Sequence, residues 1–308
     1  MAVSYQNLAN IYESIDDLEN TYNYYIKLSI LQSEIADVCP ENQENNDWLA
    51  NSYEKLGTLA ESKTNWDIAI IYYKKLLQHF LYANLGNQNT IHKNTILAST
   101  YNKISKAYFS KTDWENALLY RTENISLWKD LVKRDNENWD YQYRLSISLA
   151  FEGRIFVEVQ NWENALKSFQ QYYDLAKKIC HKKPDIVAFK RNVAFACEYL
   201  ANHFLFLNDT SKYMEYAFEG LTTIIELCNK TEEKNLDYSI DFAISIYNLS
   251  NNIKDIFGEK IDTDWQSNLT EGRKEAFELL NIFYLQNELP ETYFELYHDL
   301  DNPNWYTQ

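Results

Sequence analysis

Histidine, cysteine and acidic side chains are the groups most able to catalyse a reaction or bind a metal. The sequence has five histidines, and no two of them lie at a metal-ligand spacing. His181 follows Cys180, but a structural zinc site needs four ligands, and no second cluster of cysteines and histidines accompanies this pair. Glycine-rich phosphate loops and the HExxH and GxSxG motifs are also missing from the sequence. We therefore expect no catalytic residue, no metal and no cofactor.

An enzyme with an unrecognised carboxylate site remains an alternative. The chain has 45 Asp and Glu residues, and the pairing of two carboxylates for acid–base catalysis depends on three-dimensional geometry. A carboxylate with a strongly shifted pKa in a closed pocket would favour this alternative.

The cysteines and the N-terminal residues bear on the cellular compartment. The four cysteines are far apart and form no CxxC motif, so we expect reduced cysteines that pack in the core. The first residues lack the basic and apolar regions of a secretory signal. No apolar run approaches the 18 residues typical of a membrane span. These features predict a cytoplasmic protein with no membrane partner.

Glycine and proline are scarce, and this scarcity restricts the fold class. The 308 residues include only six Gly and four Pro, whereas about 12% of an ordinary globular chain is Gly or Pro. Hairpin turns and phosphate-binding loops need glycine because they require positive φ angles. The composition therefore disfavours an all-β fold and a nucleotide-binding α/β fold, while 16% aromatic residues argue against disorder.

A repeat of 48 residues runs through most of the chain. The segments NWDIAIIYY, DWENALLYR and NWENALKSF are related, and their tryptophans, Trp66, Trp114 and Trp162, follow one another at that spacing. Leu18 and Thr210 occupy the equivalent positions in the first and fifth units. Five units thus share one period across residues 1 to about 230.

Equivalent positions of the repeat keep their size and polarity. A small residue lies nine positions before each tryptophan position: Ala9, Gly57, Ser105, Gly153 and Ala201. The spacing of apolar residues on both sides of the tryptophan position is helical. Short polar segments between the two helices offer N-caps: Asp16–Asp17, Thr64–Asn65, Thr112–Asp113 and Gln160–Asn161. Each unit is therefore predicted to be an antiparallel helix pair, and the stacked pairs are predicted to form an all-α solenoid of five to six pairs.

The domain prediction follows from this period. We place repeat units near 1–47, 48–92, 93–140, 141–188 and 189–236. Residues 237–308 depart from the period and are predicted to form a degenerate helix pair followed by a C-terminal cap or tail of the same domain.

The repeat resembles the tetratricopeptide repeat (TPR). That pattern has an aromatic residue, Leu-Gly and then Tyr in the first helix, followed by Ala and an aromatic residue in the second. In the second unit these positions hold Tyr53, Leu56–Gly57, Ala60, Ala69 and Tyr73. The period of 48 is longer than the usual 34, and segments such as YQYRLSISLAFEG (141–153) are more similar to bacterial long-period repeats. The resemblance covers about three quarters of the chain, and it implies a protein-binding module.

The resemblance also implies a binding face. In TPR proteins the first helix of each pair lines a concave groove. Carried over by position, this face presents Asn10, Asn51, Glu54, Asn102, Lys106, Arg154, Glu158, Glu198 and Asn202. Asparagine can donate to and accept from an extended peptide backbone. Lys106 and Arg154 are one period apart and could hold a carboxylate or a phosphate, although ordinary solvated charges on a helix face would look the same in sequence.

The charge is distributed unevenly along the chain. The formal charge of −16 arises from −8 in residues 1–50, +5 in residues 51–200 and −13 in residues 201–308. The basic residues of the middle are too few to suggest a nucleic-acid partner. Our leading hypothesis is a non-catalytic scaffold, adaptor or regulator that binds a protein or peptide segment of unknown identity in the groove. The rival hypothesis is an inhibitor or immunity-type protein that neutralises a basic toxin or nuclease through its acidic ends.

Overall fold

Helices account for most of the chain. The structure, a computed structural model, describes residues 1–39, 42–82, 90–230, 235–302 and 305–306. The helices are α1 (Ala2–Ser14), α2 (Leu18–Val38), α3 (Gln43–Ser62), α4 (Trp66–Tyr82), α5 (Thr90–Ser110), α6 (Trp114–Arg134), α7 (Trp139–Glu158), α8 (Trp162–Lys182), α9 (Val187–Phe206), α10 (Thr210–Lys230), α11 (Leu236–Phe257), α12 (Thr263–Leu285) and α13 (Phe294–Leu300). The described ranges contain no β-strand, and the prediction of an all-α fold is confirmed.

The chain divides into two compact units. The first, Met1–Ala165, contains α1 to α7 and the beginning of α8, and the second, Leu166–Gln308, contains the rest of α8 and the helices that follow. Within the first unit each helix from α1 to α6 packs against the helix that follows it. In the second unit α9, α10, α11 and α12 pack in the same sequential way. This arrangement is typical of a helical solenoid.

The turn between the helices of a pair is nearly identical in each repeat. The residue before the N-cap has a left-handed φ of 54 to 59° at Asp16, Thr64, Thr112, Gln160 and Asn208, which are spaced by 48 residues. The next residue caps the second helix, as when Asp113 accepts a hydrogen bond from the Asn116 amide at 3.2 Å. The equivalent residues Asp17, Asn65, Asn161 and Asp209 form the same cap. The predicted N-caps are therefore confirmed, whereas the left-handed residues were not predicted because none of them is glycine.

The small residues of the repeat allow the two helices of a pair to approach closely. Ala9, Gly57, Ser105, Gly153 and Ala201 are all buried, as expected. At Ser105 the hydroxyl donates a hydrogen bond to the Ala117 carbonyl on the partner helix at 2.7 Å. The core of the first unit consists of two clusters of buried side chains, one formed by α1 to α3 and the other extending from α3 to α7.

The C-terminal segment packs on the last helix pair of the second unit. Tyr297 of α13 stacks on Phe277 and Tyr284 of α12, with ring centroids 4.8 and 4.5 Å apart. Trp305 is buried, and its indole N–H donates to the Thr270 hydroxyl at 3.1 Å. The acidic-aromatic tail thus covers its own helix pair, although its residues 303–304 and 307–308 lie outside the described residues.

Candidate functional site

Ion pairs connect the first helices at the beginning of the first unit. Lys55 of α3 reaches Glu13 of α1 at 2.9 Å, and Lys103 of α5 reaches Glu54 of α3 at the same distance. Glu54, one of the predicted binding residues, is therefore half-buried and already paired. Surface ion pairs of this kind stabilise a fold by only about 0 to 1 kcal/mol, so their main effect is to neutralise this part of the face.

The predicted binding residues of α1 and α3 do not form one cluster. Asn10 is exposed, and its side-chain carbonyl accepts hydrogen bonds from Gln6 at 2.9 Å and from the Tyr25 hydroxyl at 3.3 Å. Asn51 is exposed on α3. Both side chains remain accessible from solvent, as a binding face requires.

A buried arginine lies beneath the middle of this face. Arg121 of α6 is 0% exposed, and one of its terminal amino groups donates to Asn102 at 2.9 Å and to Asn124 at 3.2 Å. Its guanidinium also lies 4.3 Å from the ring centre of Phe151. The Nε and Nη2 atoms of Arg121 have no hydrogen-bond partner, so a positive charge is held inside the first unit without a carboxylate bonded to it. Sequence analysis did not single out Arg121, which resembles any surface arginine in a helical pattern.

Lys106 and Arg154 come together where α5 faces α7. Both side chains are exposed, and in the described part of the chain neither has a carboxylate within ion-pair distance. The Arg154 guanidinium lies 5.2 Å from the ring centre of Phe109 and 5.3 Å from that of Phe151. These two rings contact each other and restrict the position of the guanidinium.

Positive charge dominates the electrostatics of this cluster. Removal from water lowers the pKa of Lys106, the positive charges of Arg121, Arg154 and Lys103 lower it further, and Glu61 acts in the opposite direction. Burial lowers the pKa of Arg121 to about 9, so that guanidinium is still charged at neutral pH. Like charges that are held close together without a counter-ion attract a carboxylate or phosphate. Asn102, Lys106 and Arg154 are thus brought together, whereas Glu158 is exposed at the end of α7.

The second unit places two predicted residues in a pocket. Glu198 and Asn202 of α9 are exposed and line a pocket that opens to solvent, with α10 and α11 as its other walls. Partial removal from water raises the pKa of the Glu198 carboxyl, and the negative charge of Asp241 adds to this effect. Sequence analysis missed the α11 residues Asn248 and Asn252, which line the same pocket, because α11 lies outside the regular repeat.

Half of the cations in the densest basic run of the sequence, which comprises Lys177, Lys178, Lys182, Lys183, Lys190 and Arg191, are paired with acids. In the second unit Lys177 bonds to Glu219, Lys190 lies 3.4 Å from Glu226, and Arg191 pairs with Asp241. These three ion pairs connect neighbouring helices and neutralise part of the run.

The described residues also bear on metal binding and on membrane insertion. Those residues contain no group of three or more His, Cys, Asp or Glu side chains that could hold a metal ion. None of the described helices is long and apolar enough to cross a membrane. The cysteines Cys39, Cys180, Cys197 and Cys228 are all present as free thiols.

Comparison with known proteins identifies the fold. No protein-family model and no curated protein sequence matches the chain. The structure of BtubC from P. vanneervenii matches 87% of this chain and 92% of its own, with a TM-score of 0.62 and 12% identity. The apo form of RapI matches 96% of this chain and 73% of its own, with a TM-score of 0.56 and 12% identity. Nro1, described as a nuclear import adaptor, matches 96% and 91%, with a TM-score of 0.51 and 13% identity. At such identities the likeness shows the fold alone, which is that of TPR-like helical-repeat solenoids.

Proposed function

We propose that this chain, a TPR-like helical-repeat protein, is a non-catalytic scaffold or adaptor that binds a segment of another protein on the polar face of its first helices. The observation that carries the proposal is the unpaired cation cluster of Lys106 and Arg154. The other first-helix charges described above, Glu13 and Glu54, are neutralised by lysines of the first helix in the next pair. At the α5–α7 position no carboxylate of the described residues provides the equivalent neutralisation, so we assign it to the partner.

The chemistry of the cluster specifies the ligand group. Arg154 offers a guanidinium fixed by two aromatic rings, and Lys106 offers a mobile ammonium beside it. Together they suit the two oxygens of a carboxylate or the oxygens of a phosphate. Asn102 uses its side-chain oxygen to accept from Arg121, and its amide N–H groups remain suited to a peptide carbonyl. The expected partner segment is extended and carries an acidic group.

Similarity of fold supports the class of function and no more. Nro1 shares the fold and is described as a nuclear import adaptor, and repeat solenoids in general present extended surfaces to other proteins. The partner that we propose for this chain is characterised by the acidic group of its bound segment.

The test is capture of the partner with mapping of the contact. Affinity purification of the tagged chain from the cells that produce it, with cross-linking mass spectrometry, should identify a partner segment cross-linked to α5 or α7. A synthetic copy of that segment should then bind the K106E/R154E variant at least about tenfold more weakly than the wild type, since two charge-assisted contacts are reversed. The matched control is K129E/K133E, which reverses two exposed charges on α6 and should leave the affinity unchanged. Equal affinity for the wild type and K106E/R154E would refute the proposal.

The second candidate function is neutralisation of a basic toxin or nuclease. Residues 201–308 carry a net charge of −13, which favours attraction of a basic protein. In that case cross-links would fall on residues 201–308, and the association rate would drop steeply with salt. An association rate independent of salt would exclude this candidate.

A further inference from the structure

The pocket of the second unit contains a carboxylate without a cationic partner. Glu198 projects from α9 into this pocket, and within the described residues no lysine or arginine lies within ion-pair distance of it. The facing wall is formed by α11, which contributes Asn248 and Asn252. A carboxylate surrounded by amide side chains offers several hydrogen-bond acceptors and one negative charge to a ligand.

A neighbouring pair of residues shows how the same two helices hold a guanidinium. Arg191 of α9 binds Asp241 of α11 through two hydrogen bonds, of 2.5 and 3.0 Å. Glu198 lies seven residues after Arg191, and Asn248 lies seven residues after Asp241. Seven residues are nearly two helical turns, so both pairs lie on the same faces of their helices. At the second position the acid is Glu198 of α9. The corresponding residue of α11 is Asn248, an uncharged amide, where a cation would complete an ion pair.

The remaining walls of the pocket suit a flat cation. Tyr213 and Tyr216 of α10 line it, and aromatic rings favour contact with a planar guanidinium. Gly220 also lines the pocket, and a β-carbon there would lie 3.1 Å from the Cys197 β-carbon, so glycine lets α10 approach α9 closely beside the pocket.

We propose that this pocket binds the guanidinium group of an arginine side chain presented by a partner polypeptide, with Glu198 as its counter-ion. This inference rests on the proposed function, because the arginine belongs to a protein segment that this chain binds. The partner would therefore present an arginine to this pocket in addition to the acidic group expected at Lys106 and Arg154. Arginine fits better than lysine because its five N–H donors can reach the carboxylate and the amide oxygens at once.

The test uses a small probe that does not depend on the identity of the partner. Nα-acetyl-L-arginine methylamide should bind the full chain in saturation-transfer NMR, whereas the citrulline analogue, which has the same shape without the charge, should bind at least about tenfold more weakly. Equal binding of the two probes would overturn the proposal. Tighter binding of free L-arginine than of the capped probe would assign the pocket to the free amino acid and would equally overturn it.

Two variants locate the binding in the pocket. Glu198→Gln should weaken binding of the arginine probe by about tenfold, and Asn248→Lys should abolish it because the new ammonium pairs with Glu198. The control is Glu271→Gln, which removes an exposed carboxylate of α12 away from the pocket and should leave binding unchanged. Circular dichroism melting curves show whether each variant is folded.

The result is separable from that of the proposed function. Loss of partner binding in K106E/R154E with normal binding of the arginine probe would leave the pocket assignment intact. Normal partner binding in that variant with no discrimination between arginine and citrulline would refute the pocket assignment. Binding of the arginine probe that is insensitive to both Glu198→Gln and Asn248→Lys would also refute it.

Discussion

The ring of Tyr73 lies directly against the bare α-carbon of Gly57. A β-carbon at Gly57 would lie 2.3 Å from Cε1 of that ring, and Tyr73 is completely buried, with its hydroxyl donating to Glu61 at 2.7 Å. The ring therefore has no room to move away. This contact explains why the first helix of the second repeat needs glycine at a position that holds alanine or serine in the first, third and fifth repeats.

Gly57→Ala should lower the free energy of unfolding by about 1 to 3 kcal/mol, the usual cost of overpacking a core. Denaturant unfolding measures the change. When Gly57→Ala is combined with Tyr73→Leu, which removes the ring, the alanine should lower the free energy of unfolding far less. Additive effects of the two substitutions would contradict the contact. Gly272→Ala is a milder comparison, because the atom its β-carbon would meet is the flexible end of Ile246.

Thr112→Gly should stabilise the protein. Thr112 has a φ of 59°, a conformation that costs a residue with a side chain about 1 to 2 kcal/mol. Because glycine loses more chain entropy on folding, the net gain should be about 1 kcal/mol. Thr122→Gly, in the interior of α6, should have the opposite sign. A lower melting temperature for Thr112→Gly would show that the turn is not strained.

Lys106→Gln should stabilise the free protein while it weakens partner binding. The folded state lowers the pKa of Lys106 through partial removal of this exposed side chain from water and through the positive charges of Arg121 and Arg154. Between this lowered pKa and the ordinary value of about 10.4, the unfolded chain therefore binds more protons than the folded chain. Stability contributed by this lysine accordingly rises with pH through that window.

The melting temperature as a function of pH checks this sign. The variant should melt above the wild type at neutral pH, and the difference should shrink as the pH rises through the titration of Lys106. Lys129→Gln, on an exposed part of α6, provides the comparison. A difference that grows with pH would show that Lys106 is stabilised as a cation by the fold.

Trp305→Ala should detach the C-terminal segment. The Trp305 indole is buried, its N–H donates to the Thr270 hydroxyl, and its ring lies 5.3 Å from the Arg273 guanidinium. The backbone carbonyl of Trp305 accepts a hydrogen bond from Lys254. Loss of this side chain should cost about 3 to 5 kcal/mol and should make residues near 294–302 sensitive to limited proteolysis. Trp48→Ala, at an exposed tryptophan, should cost less than about 1 kcal/mol. Equal protease resistance of wild type and Trp305→Ala would contradict the anchoring role.

The sequence predicted the helix pairs and their turns well, since these depend on local spacing. Small residues at one position of a 48-residue period and Asp or Asn before each second helix indicate close packing and capping without any long-range information. The left-handed turn residues escaped notice because Thr64 and Thr112 have types that rarely adopt a positive φ. Their positive φ angles follow only from the tertiary structure, because the N-cap on one side and the packed helices on the other together determine the backbone geometry of the turn.

The sequence alone determined that this protein is a helical repeat with a polar face on its first helices, because periodicity fixes which residues share a face. Only the tertiary structure decided which charges on that face are already satisfied. Lys103 and Lys106 lie one turn apart on α5, but Lys103 reaches Glu54, whereas Lys106 meets Arg154. Likewise Arg191 has its aspartate, whereas Glu198 has no cation within ion-pair distance among the residues that the structure describes. The physical reason is that an ion pair requires two side chains to meet within about 4 Å, and that distance is set by the packing of helices far apart in the chain.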